Sequence, residues 1–524
     1  MGSARIIAGS ALSHFTGCSC ACANLLLEIK PQAYSLATKG EILRQLGGED
    51  RLREAVAALE EAIRLKPDDG WAHAVYGETL RMLNRLDDAA AELKRAVEID
   101  STVDDWHYRR AEVLRTLNRL PEALDSLNDA LRYNSENAEA LTARGEVLDI
   151  MDRTAEALAD FDRALQLTPN DARTLASKGE ALRRAGKLSD AAQALKQAVQ
   201  LQPGGYQFAE TSLGRVRLDQ NREAEALKCF EQVLQRDPNY TWALEGMVIA
   251  LQWLDQIERC LAVSRRLLEF ESEAAWAHGV IGLLMFYIEE YAQGVEALER
   301  STRANAKDPW SHNTLANCYT WLAQSSAPTE TEKLLDKAIA EATAATELAP
   351  THPTWRVTLA EALFKRSRTD AAAAEFKRAL ETLSHERVDY YAANDAGLAA
   401  YHLALLEPSE TTSFLSQAEQ SFVDALTLKK ERPDSSEAVS VKFNLALVML
   451  CRGRFALALR EFDSASNLAA TREPRLYRGL LGRAKAGLAE AIELWPPLRQ
   501  SAHAHKVLRD LETRYSTPPR RVQA

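Results

Sequence analysis

Two columns of aromatic residues recur along this chain at one fixed interval of thirty-four residues. Trp242, Trp276 and Trp310 form the first column, and Trp253, Tyr287 and Trp321 form the second. A period near thirty-four residues is typical of arrays in which each repeat is a hairpin of two helices. Such an array has no single central core, because each repeat packs mainly on its neighbours.

Composition agrees with a helical array. The chain has 524 residues, which is too many for one hydrophobic core, and only 23 of them are glycine and 17 proline. No run of eighteen apolar residues occurs, so we expect no membrane span. The net charge of −11 argues against nucleic-acid binding, which requires a basic surface.

The seven cysteines are too few and too scattered for a disulfide framework. Four of them lie within helical patterns and are predicted to be small buried residues: Cys229, Cys260, Cys318 and Cys451. A denser cluster, Cys18-Ser-Cys20-Ala-Cys22, lacks a second Cys/His set at zinc-site spacing. We therefore predict no metal site.

We predict that residues 1–24 form an irregular or degenerate N-terminal segment. The stretch from Arg5 to Cys18 weakly resembles a lipoprotein signal, but its apolar run is short and interrupted. The stretch Leu25–Pro31 is typical of the last turns of a repeat whose first part is degenerate. We favour this second interpretation and expect a cytoplasmic protein, with a lipoprotein anchored through Cys18 as the minor alternative.

From Ala33 onward, small residues recur in one register. Gly77, Gly145 and Gly179 each begin a Gly-Glu-x-Leu motif, and an alanine follows each glycine after twelve residues. This pattern predicts two amphipathic helices per repeat, with small residues where the helices cross and Leu or Phe filling the gap. Proline after the second helix, as at Pro169, ends that helix.

These residues resemble the tetratricopeptide repeat, and the Arg144-Gly145-Glu146 motif resembles bacterial members of that family. The resemblance extends from about Ala33 to Arg514. It implies an all-α, right-handed superhelical solenoid of antiparallel helix pairs, with about twelve repeats and C-terminal capping helices. On this basis residues 25–474 are the solenoid, 475–514 the helical cap, with a last helix at Leu498–Arg514, and 515–524 a disordered tail.

The resemblance also implies that the first helix of each pair lines a concave groove. Counting from the start of each repeat, positions 2, 9 and 13 share one helical face. In the early repeats, position nine is glutamate and position twelve is usually arginine. These residues form a charged groove ladder: Glu41, Arg44, Glu78, Arg81, Glu112, Arg115, Glu146, Glu180 and Arg183. Two interpretations stay open, namely a self-neutralising solvated wall and a surface that selects a charged partner.

In the middle repeats the same face turns apolar. The candidate partner-binding residues are Trp242, Ile249, Trp253, Trp276, Leu283, Phe286, Tyr287, Trp310 and Trp321. An apolar surface of this extent predicts a binding site, and Trp and Tyr dominate binding hot spots. Two alternatives are that the position-two tryptophans wedge between repeats, and that the N-terminal segment covers the patch.

No motif indicates catalysis. His73, His107, His278 and His312 share position four, where packing with a satisfied ring nitrogen is the better interpretation than a metal site. The chain has no phosphate-binding glycine loop, nucleophile elbow or zinc-protease helix. We therefore predict no catalytic residue and no cofactor.

The sequence thus predicts a non-catalytic scaffold that binds a protein or peptide in its groove. A chaperone-tail adaptor is disfavoured, because position nine has Glu in place of the Asn that such clamps use. One alternative is a sensor or regulatory subunit of a bacterial signalling or defence enzyme, an ATPase or peptidase encoded separately. Another is a lipid-anchored envelope scaffold. The oligomeric state stays open.

Overall fold

The computed structural model describes residues 33–202, 205–383, 389–429 and 435–516, and within these ranges every regular element is a helix. The chain divides into two compact parts, an N-terminal module of residues 1–222 and a C-terminal module of residues 223–524. Within each module, consecutive helices pack against one another, most of them as hairpins. The predicted all-helical solenoid of helix pairs is confirmed. The predicted signal, Cys18 cluster and C-terminal tail lie outside the described residues, apart from Tyr515 and Ser516.

The N-terminal module contains eleven helices within its described residues. Their bounds are α1 (Ala33–Leu46), α2 (Glu49–Leu65), α3 (Gly70–Met82), α4 (Leu86–Ile99), α5 (Asp104–Thr116), α6 (Leu120–Tyr133), α7 (Ala138–Ile150), α8 (Thr154–Leu167), α9 (Ala172–Arg184), α10 (Leu188–Leu201) and α11 (Gln207–Asp219).

The C-terminal module contains sixteen helices within its described residues. Their bounds are α12 (Glu223–Arg236), α13 (Thr241–Trp253), α14 (Ile257–Phe270), α15 (Ala275–Tyr287), α16 (Tyr291–Ala304), α17 (Pro309–Gln324), α18 (Pro328–Leu348), α19 (Pro353–Lys365), α20 (Thr369–Leu383), α21 (Tyr390–Leu406), α22 (Thr411–Leu428), α23 (Ser436–Cys451), α24 (Phe455–Ala469), α25 (Pro474–Leu494), α26 (Pro496–Arg499) and α27 (Ala502–Ser516).

Local sequence explains where these helices begin and end. Asp69, Asn137 and Asp171 each cap a first helix by accepting a hydrogen bond from a backbone N–H three residues later. The turn inside most hairpins has one residue in the left-handed region, as at Asn84 with φ of 59° and Asn118 with φ of 57°. Asn, Asp and Gly tolerate this conformation, so the tight turn recurs with the repeat.

The core of each hairpin follows the predicted small-to-large pattern. Gly77 lies against Leu93, Gly145 against Phe161, and Gly282 against Leu298, so closely that a Cβ at any of these glycines would clash. The partner side chains Leu93, Phe161 and Leu298 are fully buried. This close crossing buries apolar surface between the two helices and stabilises the hairpin.

The cysteine prediction holds for three of the four residues. Cys260, Cys318 and Cys451 are buried, whereas Cys229 is only half-buried. Cys229 precedes the buried Phe230 on α12, so it lies about 100° around the helix from the core-facing side chain.

In the C-terminal module, the C-terminal helices do more than cover the end of the array. Helix α25 packs on α23, α24 and α27 and also reaches α15, nearly two hundred residues earlier. The last helix spans Ala502–Ser516, not Leu498–Arg514, because Pro496 and Pro497 begin a separate short helix that contains Leu498. Within the described residues, no helix is long and apolar enough to cross a membrane.

Candidate functional site

In the N-terminal module, each glutamate of the charged groove ladder is paired with an arginine. The ion pairs within single helices are Glu41–Arg44 at 2.7 Å, Glu78–Arg81 at 3.1 Å, Glu112–Arg115 at 3.1 Å and Glu180–Arg183 at 2.8 Å. Glu146 instead pairs with Arg173 at 2.7 Å, from the next repeat. The geometry favours the self-neutralising interpretation of this ladder, because the described partners already satisfy its charges.

Two arginines that the sequence reading missed connect neighbouring repeats. Arg173, at position two, contacts Glu146 and also Glu112 at 3.4 Å, two repeats away. Arg109 contacts Asp105 at 2.7 Å and Glu78 at 3.4 Å. The sequence pattern that predicts such a contact is an arginine at position two or six of one repeat and a glutamate at position nine of the preceding repeat.

The ionisation of this network follows from its burial and pairing. Burial alone would raise the pKa of Glu146, but the hydrogen bonds and charge of Arg173 outweigh it and lower that pKa below its ordinary value. The same contacts outweigh burial at Arg173 and raise the pKa of its guanidinium. Both groups are therefore charged at neutral pH and hold adjacent repeats together.

The position-four histidines pack as predicted. In each of them, Nε2 bonds a backbone carbonyl six residues earlier, at 3.0 Å for His73, 2.9 Å for His107, 3.0 Å for His278 and 3.2 Å for His312. The first three are buried and His312 is half-buried. These rings tie the first helix of a repeat to the turn before it. Among the described residues, no group of three or more metal-ligand side chains is placed to hold an ion.

Two of the position-two tryptophans of the C-terminal module, Trp276 and Trp310, pack between repeats. Trp276 lies against the buried cluster of Leu244, Leu267 and Ala277. Trp310 lies over Gly279 of the preceding repeat, where an added Cβ would approach its Cζ3 atom to 2.8 Å. Trp242, Trp276 and Trp310 are all half-buried, as is Ile249. The contacts of Trp276 and Trp310 favour the wedge interpretation for this column.

Beside these wedges, the C-terminal module contains a groove of about 630 Å³, which we call the aromatic groove. Its wall includes Trp253, Leu283, Tyr287, Trp310, Trp355 and Tyr391. Trp253 is 45% exposed, which is unusual for so large an apolar side chain. The amide side chains of Asn313, Asn317 and Asn394 also face this groove. The groove therefore combines apolar contact surface with hydrogen-bonding groups.

The three members of the position-thirteen column have different surroundings. The Trp253 ring lies 5.6 Å from the ammonium of Lys429, at the margin of the aromatic groove. The Tyr287 backbone lies under helix α25. Trp321 stacks on Tyr291 with ring centroids 6.1 Å apart. The structure thus leaves Trp253 as the most exposed member of the column.

Helix α25 lies directly against the C-terminal end of α15. Arg483 donates to the carbonyl oxygens of Phe286 and Tyr287 at 3.3 and 3.0 Å, and its guanidinium lies 5.4 Å from the Phe286 ring centroid. A Cβ on Gly479 would overlap the Tyr287 carbonyl oxygen. Glycine at position 479 is therefore required for this close approach.

Further contacts connect the same C-terminal segment to the middle repeats. Arg475 pairs with Glu258 at 3.1 Å and with Glu290 at 3.3 Å. The Tyr515 hydroxyl donates to Glu289 at 3.0 Å. The aromatic patch was predicted to be covered, if at all, by the N-terminal segment, whereas the described C-terminal helices contact one side of it.

A second cavity, of about 340 Å³, adjoins the aromatic groove and shares Phe286, Asn313, Asn317 and Thr354 with it. We call it the deep cavity, because Asp395 and Tyr401 in its lining are buried. Of the predicted partner-binding residues, Phe286 and Trp321 line this cavity. Its other walls come from α19, α21, α23 and α25. The sequence analysis did not identify this cavity, because its walls come from helices more than one hundred residues apart.

Comparison with known proteins gives one family. Family models described as tetratricopeptide repeat match residues 48–113, 108–172, 151–206, 211–240 and 334–386. The matches therefore fall in both modules. A search of curated proteins finds no match.

The solved structures that are similar to this chain have low sequence identity to it. YrrB, described as a TPR protein with an unusual peptide-binding site, is 25% identical with a TM-score of 0.30, over 36% of this chain and 97% of YrrB. A tetratricopeptide repeat protein from Parabacteroides merdae is 17% identical with a TM-score of 0.42, over 48% of this chain and 98% of its own. The structure described as the APC/C hetero-tetramer Cut9–Hcn1 is 13% identical with a TM-score of 0.47, over 94% of this chain and 99% of that chain.

Proposed function

This chain belongs to the tetratricopeptide repeat family, and from that premise we propose that it is a non-catalytic scaffold that binds a protein or peptide in the aromatic groove. The family fold indicates a protein-interaction scaffold. The finer assignment, to one groove of the C-terminal module, is our proposal.

The observation that carries the proposal is the exposure of Trp253 at the margin of the aromatic groove. This side chain is 45% exposed, while Leu283 and Tyr287 beside it are half-buried. Burying a tryptophan in a partner removes a large apolar area from water, and such residues commonly account for much of a binding free energy. The ammonium of Lys429 lies 5.6 Å from this ring and is paired with Glu437.

The chemistry of the groove suits an extended peptide segment. Asn313, Asn317 and Asn394 each present a carboxamide, which can both donate and accept hydrogen bonds. The Oδ1 atoms of Asn313 and Asn394 are buried and have no hydrogen-bond partner among the described residues. A peptide backbone has N–H and C=O groups in regular alternation and would satisfy these amides while an apolar side chain contacts Trp253.

A peptide-display selection against the full-length protein, followed by fluorescence anisotropy with the selected peptides, tests this proposal. We expect Trp253→Ala to weaken binding about tenfold or more, because truncating an aromatic hot-spot residue typically costs about 2 kcal/mol. Phe270→Ala is a matched control. Phe270 is also 45% exposed but is not among the residues that line the groove, so its replacement should leave the affinity unchanged.

Equal affinities of wild-type protein and Trp253→Ala for every selected peptide would contradict the proposal. Loss of binding in both variants would show a general loss of structure, and circular dichroism of each variant separates that case from a local effect.

A further inference from the structure

The deep cavity of the C-terminal module has the size and the walls of a small-molecule site. Its volume is about 340 Å³, within the range of typical ligand pockets. Its polar lining includes Asn313, Glu361, Asp395 and Tyr401, from α17, α19 and α21. Helix α25 forms a further wall through Arg483 and Glu490.

Three polar groups of this lining have no partner. Glu361 is half-buried, lines the cavity and makes no hydrogen bond or ion pair with any residue that the structure describes. The Oδ1 atom of Asn313 and the hydroxyl of Tyr401 are buried and also lack a hydrogen-bond partner in the described part of the chain. Both residues are only 6% exposed. Buried polar groups without partners are costly, so the lining has unmet hydrogen-bonding capacity.

The cavity has an excess of negative charge near Glu361. Its lining contains three carboxylates, Glu361, Asp395 and Glu490, against two cations, Lys365 and Arg483. Lys365 pairs with Glu490, and Arg483 donates to the neutral carbonyls of Phe286 and Tyr287. Asp395 accepts a hydrogen bond from the Thr354 hydroxyl at 2.6 Å. That hydroxyl is neutral and does not compensate the charge of the carboxylate. A positive group inside the cavity would supply the missing charge.

The ionisation of the lining agrees with this geometry. Burial raises the pKa of Glu361 to about 7, with Lys365 opposing the shift, and raises the pKa of Asp395 to about 6. Burial lowers the pKa of His402 to about 4, so this ring is neutral at physiological pH. Lys365 compensates the charge of Glu361 only in part, because its ammonium is also paired with Glu490.

Aromatic rings complete the lining. Trp321, Tyr401 and Phe443 all face the cavity. The face of an aromatic ring attracts a cation, most strongly where water is excluded. A ligand with an aliphatic chain next to its cationic group would also bury apolar surface against these rings, which favours binding.

From these observations we propose that the deep cavity binds an organic cation with N–H donors, a primary ammonium or guanidinium group on a short aliphatic chain. Glu361 receives the charge, Asn313 and Tyr401 supply further hydrogen bonds, and the rings enclose the aliphatic part. The same cationic group could come from a free alkylamine or from a lysine or arginine side chain of a peptide in the adjoining aromatic groove. This site shares Asn313 with the proposed peptide site, whereas Glu361 and Tyr401 line the deep cavity and not the aromatic groove.

Isothermal titration calorimetry with the full-length protein tests the proposal. The probes are cadaverine, agmatine and the lysine mimic N-acetyl-lysine methylamide, with pentanol and glutarate as uncharged and anionic controls. We expect at least one cation to bind saturably with a dissociation constant in the millimolar range or lower. Neither control compound should bind. Binding of a free amine identifies a small-molecule ligand, whereas binding of the lysine mimic alone identifies a peptide side chain.

Variants locate the bound cation. Glu361→Gln should weaken binding roughly tenfold or more, because it removes the charge and keeps the shape. Tyr401→Phe should weaken it several-fold through loss of one hydrogen bond. The matched control Glu347→Gln removes an exposed carboxylate of α18 that is not among the cavity lining, and it should leave the affinity unchanged.

Absence of saturable binding by every cation would overturn the proposal, and so would equal affinities of wild-type protein and Glu361→Gln. Failure of the peptide test at Trp253 would leave these amine titrations unaffected, so the two proposals are tested separately.

Discussion

Glu361 is an ionisable residue in a setting that disfavours its charge. It lines the deep cavity without a hydrogen bond or ion pair to any described residue, and burial raises its pKa to about 7 from an ordinary value of 4.5. A raised carboxyl pKa means that the native state binds more protons than the unfolded state between these two values. The contribution of this group to the free energy of unfolding therefore falls as the pH rises from about 4.5 to about 7.

Glu361→Gln should remove this pH dependence from the protein without ligand. We expect the variant to be more stable than wild type at pH 8 by about 1 to 3 kcal/mol, and nearly equal to it at pH 4.5. Thermal unfolding at a series of pH values measures the difference. Asp395 has a raised pKa as well, so a smaller dependence of the same sign should remain in the variant.

The matched control for this prediction is again Glu347→Gln, whose carboxylate is exposed. Its stability should follow that of wild type across the pH series. Parallel curves for wild type and Glu361→Gln would contradict the assignment of the raised pKa to Glu361.

At the scale of elements, helix α25 is the part of the C-terminal module that most departs from a simple array. It reaches the end of α15 through Gly479 and Arg483 and contributes Glu490 to the deep cavity. The close approach depends on the missing side chain at Gly479, because a Cβ there would overlap backbone, which cannot move as easily as a flexible side chain.

Gly479→Ala should therefore destabilise the C-terminal module by about 1 to 3 kcal/mol. Gly487→Ala on the same helix is the matched control. Its added Cβ would meet Leu447 at an ordinary contact distance of 3.8 Å, and alanine favours the helix by about 0.5 to 1 kcal/mol. The denaturant concentration at the unfolding midpoint should fall for Gly479→Ala and rise for Gly487→Ala. A shift of both midpoints in the same direction would argue against the close α15–α25 contact.

At the scale of the whole molecule, a repeat array is expected to transmit perturbations mainly between neighbouring repeats. The C-terminal module differs, because α25 contacts α15 as well as its neighbours in sequence. Arg483 donates to the last carbonyls of α15, and Arg475 bonds Glu258 of α14 and Glu290 in the turn after α15. Local unfolding of α25 should therefore promote local unfolding at the C-terminal end of α15.

Arg483→Gln should make this coupling measurable by hydrogen exchange. We expect faster amide exchange both in α25 and in the last turn of α15, since charged hydrogen bonds to two carbonyls each contribute about 1.5 to 3 kcal/mol. Arg478→Gln, a change at an exposed arginine of the same helix, should leave the exchange of α15 unchanged. Faster exchange confined to α24, α25 and α27 would show that the module behaves as a simple array.

Much of the fold followed from local sequence, because repeat packing is local. The thirty-four-residue period predicted the helix pairs, the glycine-to-leucine or glycine-to-phenylalanine contacts of each hairpin, and the packed histidines. The interval of the tryptophans drew attention to residues 241–321, and Trp253 lies on the aromatic groove there. The roles of these residues in binding stay predictions.

The contacts of α25 and the lining of the deep cavity were decided only by the tertiary structure. Arg483 and Tyr287 meet although 196 residues separate them, and no periodic pattern relates two positions so far apart. A period specifies how each repeat packs on the next, whereas contacts between distant helices depend on how small rotations accumulate along the array. That accumulation brings Glu361, Tyr401 and Glu490 to one cavity, and sequence alone did not predict it.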